Sequence, residues 1–538
     1  SGSRPLAPGG TGRPPHAAQT FRRPPGCGRP CCPGAMAAPT VEMSNTVSAN
    51  LSHVTKVNSI LSNNMAPVNS KRELSSKISC ATDLSHFELG LVELSRKGED
   101  GSEDPPETST AASVGTLVLT MVGAGIFTFP GMFKEAGYAI APFVLAFVAC
   151  IVCEIGRIMN ESINIIEARR ENSPRPGKRP QSYDDLMEAA FGHRGRVVSV
   201  LAMNGTLHLV CALYLILMGK SLKYLLHGWQ WMPFEEVPYK ACALVVAGIM
   251  AVLTLFDDVG FIAKMGKYGS LTCVVYVVTI VTAGVRYGLL EDFPYKETAD
   301  SKDVLLAEHV YRAGPVSFCA PFTVMSRCLL AFAYQPCIPT VRVQMKRPER
   351  MGFSLKVACL VTFSVYVLAG AGGYYGFGDK THSESVLNNM IGRDGSKIPE
   401  GLFLSSAVLF NLFATFVILM NVVNRAAENA VVGKYCAPVR LVLVAMCAGI
   451  AIFMPHFGVL MSFIGAIPVC MLLTLVPLLI FWKLVRDHGV EVPHRNVQIA
   501  WHCVVVIFGL CCLVIGSMEA VVELIQKLKD TEDDPFWA

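Results

Sequence analysis

A few residues able to bind ligands or carry charge stand inside long apolar stretches of this chain. Glu154 is followed three residues later by Arg157, on the same helix face. That spacing suits either a proton-carrying carboxylate or an ion pair near an interface. Asn204 and His208 lie one turn apart and suit a substrate or proton site, or a hydrogen bond to a neighbouring helix. Arg327 suits a vestibule that attracts carboxylates, or a side chain snorkelling to the interface. Thr415 offers its hydroxyl to a cation or back to its own helix. Ionisable groups in such surroundings are candidates for function by default.

The backbone offers a second kind of chemistry. "VGAGIFTFPG" (Val122–Gly131) and "LLAFAYQPCIPT" (Leu329–Thr340) place Gly and Pro where a continuous apolar helix is expected. A helix broken in hydrocarbon frees N–H and C=O groups, which persist only where protein, water or ligand satisfies them. Half-helix N-termini suit a carboxylate and unwound carbonyls suit a cation. An amino acid carries both charges. The glycines also suit close helix packing. A pair of interrupted segments at corresponding places in two halves points to a transporter built from inverted repeats, with its site at the breaks.

The elements that position these groups follow from composition. The chain has 538 residues, 52% hydrophobic and only 16% charged, with a mean hydropathy of +0.43. Soluble proteins carry about 25% charged residues. Apolar runs of spanning length recur near 112–133, 139–164, 196–225, 240–256, 268–290, 317–339, 355–377, 401–424, 437–455, 458–483 and 498–520. The expectation is an all-α integral membrane protein of about eleven spans, with spans 1 and 6 discontinuous, spans 1–5 and 6–10 as inverted repeats, and an added span 11.

Basic loops after spans 2 and 6, "ARRENSPRPGKRPQ" and "VRVQMKRPER", put the N-terminus in the cytosol and the C-terminal tail, residues 521–538, outside or in a lumen. Residues 1–108 read as a disordered tail that offers a cytosolic partner a docking segment, with 1–35 as upstream read-through before Met36 or as part of that tail. A net charge of +4 does not suggest nucleic acid. Most of the 19 cysteines fall in apolar runs, as core residues. No metal site, cofactor motif or enzyme constellation is expected, and "GYYGFG" (Gly373–Gly378) reads as a turn closing span 7.

The breaks, together with "SYDDLMEAAFGHRGR" (Ser182–Arg196), "VRVQMKRPER" and "GGYYGFGD" (Gly372–Asp379), resemble the amino acid/auxin permease family within the amino acid–polyamine–organocation superfamily. The resemblance covers about residues 110–520. It implies a LeuT-like fold and amino acid symport or exchange by alternating access, driven by H⁺ or Na⁺. By that resemblance substrate would meet Gly123, Ala124 and Gly125 in span 1 and Phe332, Ala333, Tyr334 and Gln335 in span 6; Ile126, and Asn204 and His208 from their place in an apolar run, are further substrate candidates. A coupling cation would lie between the break at Val122 and Thr415, with Glu154 as a further candidate. Two departures stand out. Asn421 and Asn424 precede Glu428 where the family often has a proline, and Arg327 replaces a small residue. An amino acid sensor signalling through the N-terminal tail is the alternative, and the membrane is the plasma membrane or that of a vacuole or lysosome.

Overall fold

The first apolar run becomes helical at Ser109, whose hydroxyl accepts the Ala112 N–H at 3.2 Å and caps the helix. In the computed structural model, which describes residues 108–171, 180–226, 238–255, 269–289, 311–390, 399–431 and 436–533, α1 runs from there over Thr110–Met121. A short 3₁₀ turn, Ala124–Thr128, leads into α2, Phe129–Ala136. The two halves meet at 49°. Glycine at 123, with Pro130 in the first turn of α2, makes the interruption affordable.

The remaining elements are helices. They are α3 (Ala141–Glu171), α4 (Tyr183–Leu226), α5 (Tyr239–Thr254), α6 (Gly269–Leu289) and α7 (Ala320–Ala331). A 3₁₀ turn at Gln335–Cys337 joins α7 to α8 (Ile338–Gln344). After α9 (Met351–Phe377), α10 (Pro399–Val431) and α11 (Ala437–Phe453) come α12 (Phe457–Ile464) and α13 (Val476–His488). Wider π-type turns over Gly465–Leu475 join these two, with Pro468 lacking an N–H to donate. α14 (Arg495–Cys511) passes through a second such turn into α15 (Ser517–Asp533).

Among the described residues, six helices are long and apolar enough to cross a membrane, and the bent α1–α2 pair makes a seventh span. Three shorter apolar helices are Tyr239–Thr254, Thr272–Gly288 and Ala437–Phe453. Large apolar side chains such as Phe143, Leu201, Leu360, Phe403 and Ile507 remain exposed on outer faces, the surface a bilayer would cover.

Small residues set the closest crossings. A Cβ on Gly284 of α6 would come within 1.9 Å of the Gly372 carbonyl oxygen of α9, and one on Gly465 equally close to that of Ser326 in α7. The glycine-rich 373–378 segment therefore does not form a turn as a whole. It is the last turns of α9, and only Gly378, at φ +51°, leaves the helix. Gly192 (φ +70°) bends α4 between its lead-in and the long run that follows.

Two boundaries differ from expectation. The chain stays helical to Asp533 instead of becoming a tail near 521. Thr108, the last residue of the expected tail, pairs with Met345, its N–H donating to Gln344 O and its carbonyl accepting from Lys346 N. Residues 1–107 lie outside the described residues.

Candidate functional site

Both expected breaks form, and they touch. α1 ends at Met121. Val122 (ψ 76°) and Gly123 (φ −111°, ψ −153°) leave helical geometry before the 3₁₀ turn begins. α7 ends at Ala331, and Phe332 (ψ 15°) and Tyr334 carry the chain into its own 3₁₀ turn. A Cβ built on Gly125 would lie 3.2 Å from the Ala331 Cβ, so the two joints are in contact.

One residue ties them. Tyr366, fully buried on α9, lies with its hydroxyl 2.5 Å from the Met121 carbonyl oxygen and 2.9 Å from that of Ala331. These are the C-terminal ends of the two leading half-helices, where the helix dipoles leave partial negative charge. A phenol has one proton, so it satisfies only one of these carbonyls fully at a time. Its ring is fixed by Phe129, stacked at 4.0 Å, and by Phe332, edge-on at 5.1 Å. Close by, the Val122 carbonyl accepts from the Cys273 thiol of α6. At the start of the 3₁₀ turn Ala124 and Gly125 have N–H groups without intrahelical acceptors. Helix-end carbonyls and 3₁₀-turn amides thus both occur at the joint.

The two glycines differ. A Cβ on Gly123 would meet nothing nearer than the Tyr214 hydroxyl at 4.0 Å, whereas on Gly125 it would press on Met461 Cε (3.1 Å) and Ala331. Gly123, Gly125 and Ala333 keep partial exposure while Val122, Ala124, Ile126 and Phe332 are buried. Gln335 is buried, with its Oε1 unpartnered. Tyr334 turns away from the joint. Its hydroxyl donates to the Val152 carbonyl of α3 at 3.2 Å and receives the Cys359 thiol, and Gly156 leaves room for it.

The other sequence candidates lie elsewhere. The His208 ring packs on the Cys447 thiol of α11, with sulfur 3.5 Å from Nε2. The Asn204 amide donates back to Val200 O, leaving its Oδ1 unpartnered. The α4 residue that reaches the joint is instead Tyr214, which an apolar helix gave no reason to single out. The Thr415 hydroxyl back-bonds to Asn411 O at 2.9 Å. Glu154 faces α14, away from the breaks. It accepts from Arg157 at 2.6 and 2.8 Å and from His502 Nε2 at 3.2 Å. The Trp482 indole N–H donates to His502 Nδ1, which fixes Nε2 as the protonated nitrogen.

Arg327 does not line an open vestibule. It is 0% exposed, and its guanidinium donates to Glu135 of α2 (2.8 and 3.0 Å), to Glu523 of α15 (3.0 Å) and to Ser462 of α12 (2.7 Å). An isolated guanidinium is too costly to bury, so two carboxylates and a hydroxyl gather around it. Among the described residues no cluster of His, Cys, Asp or Glu is arranged to hold a metal ion.

A family model described as transmembrane amino acid transporter protein matches residues 106–522. Amino acid transporter AVT3B of Arabidopsis thaliana is 23% identical over 456 residues, 82% of this chain and 100% of the relative. Lysine histidine transporter-like 3 of the same plant is 23% identical over 430 residues, 77% of this chain and 89% of the relative. A solved structure, the inward facing conformation of Mhp1, is similar with a TM-score of 0.48 and 12% identity, over 81% of this chain and 93% of that one.

Proposed function

Since the chain belongs to the transmembrane amino acid transporter family, we propose that it is a secondary active transporter that carries amino acids across a membrane by alternating access, with the contact between its two helix breaks as the substrate site. The observation that carries this reading is the convergence of the Met121 and Ala331 carbonyls on the Tyr366 hydroxyl. An ammonium group would take the carbonyl side of the joint, and a carboxylate the amides at Ala124 and Gly125. The side chain would be read by Gly123, Tyr214, Ala333 and Gln335.

In this reading the six long helices, the bent first pair, the broken stretch Ala320–Gln344 and the three shorter apolar helices together make eleven spans. Spans 1–5 and 6–10 form the inverted repeat, and the N-terminus is cytosolic. The gradient used is H⁺ or Na⁺.

Uptake by purified protein in liposomes tests the proposal directly. A panel of labelled amino acids is offered under an imposed Na⁺ gradient and, separately, an H⁺ gradient. Accumulation that collapses when the gradient is dissipated supports the reading; no uptake of any amino acid under either gradient overturns it.

A further inference from the structure

At the end of the bundle where α2 stops, the chain between α9 and α10 enters as a wedge. Its Thr381–Ser385 stretch lies between α2 and α12. A Cβ on Gly131 would fall 2.5 Å from the Ser383 carbonyl oxygen, and one on Gly458 would fall 3.1 Å from the Glu384 Cα. Glycine on both sides is what lets the wedge seat.

Charge holds it there. Glu384, 3% exposed, accepts from Lys220 Nζ of α4 at 2.8 Å and from His456 Nδ1, at the start of α12, also at 2.8 Å. A carboxylate only accepts, so His456 Nδ1 carries the proton. His456 Nε2 is buried with no partner. Lys134 of α2 donates to the Thr381 carbonyl at 2.9 Å. Arg327 lies within electrostatic reach of Glu384 and binds Glu135 and Glu523. Tyr239 of α5 also faces Glu384. The Glu384 N–H donates to His382 Nδ1, and Asp379 pairs with Arg312. Lys223, one turn beyond Lys220, faces Cys242 of α5. Lys220, Arg327, Glu135, Glu384 and Glu523 together form a charged network at this end of the bundle.

We propose that Glu384 is a proton-binding site that unlocks this end of the transporter, with His456 as the relay that delivers the proton. When an opening fluctuation of this end exposes His456 Nε2 to water, a proton joins it. The Nδ1 proton then passes to Glu384 Oε1, leaving a neutral imidazole in its other tautomer and a neutral carboxylic acid. Glu384 loses its charge, its ion pair with Lys220 is lost, and the wedge is released from between α2 and α12. Neutralising one member of a buried ion pair is strongly destabilising. The inference rests on the transport reading for its purpose, but its test uses no substrate.

The test is hydrogen–deuterium exchange of the intact protein in lipid nanodiscs. Exchange is read on peptides covering 381–390 and 457–464 at about pH 7.5 and about pH 5.5, and corrected for the intrinsic pH dependence of exchange. Wild-type protein should exchange at least about tenfold faster in acid on these peptides, which corresponds to tenfold in the opening equilibrium. Glu384→Gln should exchange fast at both pH values. His456→Gln, which keeps a donor to the carboxylate but cannot relay, should stay protected at both, and it carries the test if Glu384→Gln does not fold. No acid response in wild type, or a wild-type response in His456→Gln, overturns the proposal. A failed uptake assay would overturn the transport reading and leave this result standing.

Discussion

The Tyr366 hydroxyl lies 2.5 Å from the carbonyl oxygen of Met121, at the point where the first helix of the bundle stops. The same oxygen reaches Ala331, at the end of the corresponding half-helix, so one side chain on α9 registers the two interruptions against each other. Tyr366→Phe keeps the ring between Phe129 and Phe332 and removes only this tie. It should cost about 1 kcal/mol of stability, the usual net worth of a hydrogen bond, since the Met121 carbonyl keeps the Gly123 N–H. It should also weaken apparent substrate affinity about tenfold. A thermal melt and a concentration series of uptake check both, and unchanged affinity would mean that the tie is only structural.

The two glycines of the first joint should behave differently. A Cβ on Gly125 would press on Ala331 and Met461, so Gly125→Ala should push the half-helices apart and lower the melting temperature. Gly123 has open space to 4.0 Å, so Gly123→Ala should melt like the wild type. Equal melting of the two alanine variants would contradict this assignment of space.

Arg327→Ala should be among the most destabilising single changes, by about 3–5 kcal/mol, because it leaves Glu135 and Glu523 facing each other without their shared cation. Glu523→Gln should lose less, since Glu135 remains. A vestibule arginine would instead change which substrate charges are preferred while leaving the melt intact; measuring the melt beside uptake of acidic and neutral amino acids separates the two roles.

Glu154 is ion-paired with Arg157 and accepts the Nε2–H of His502. Glu154→Gln should therefore lower stability by about 1–2 kcal/mol and leave the dependence of uptake on the proton gradient as it was. Loss of that dependence, with the protein still folded, would return Glu154 to the coupling path.

Both joints were legible in the sequence because glycine and proline are conspicuous in apolar runs, and the helices lie close to the expected apolar stretches. What surrounds the joints was not legible. Tyr366 is an ordinary residue for an apolar helix, and its part depends on where α1 and α7 end. The partners of Arg327 are 192 and 196 residues away in the chain, beyond any local spacing argument. Asn204 and His208 were visible as polar residues, but which face of α4 meets the joint is set by tertiary packing and by the bend at Gly192. The glycines of 373–378 looked like a turn because the close neighbours of Gly373 and Gly376, Pro130 and Gly284, are far off in sequence.

The most direct test of the central claim, that amino acids occupy the joint between the two breaks, is gradient-driven uptake by wild type and Gly123→Leu side by side in liposomes, with melting curves for both. The account expects wild type to accumulate at least one labelled amino acid. Gly123→Leu should fill the open space, transport less than about a tenth as fast, and melt within a few degrees of wild type. Undiminished uptake by a well-folded Gly123→Leu would contradict it.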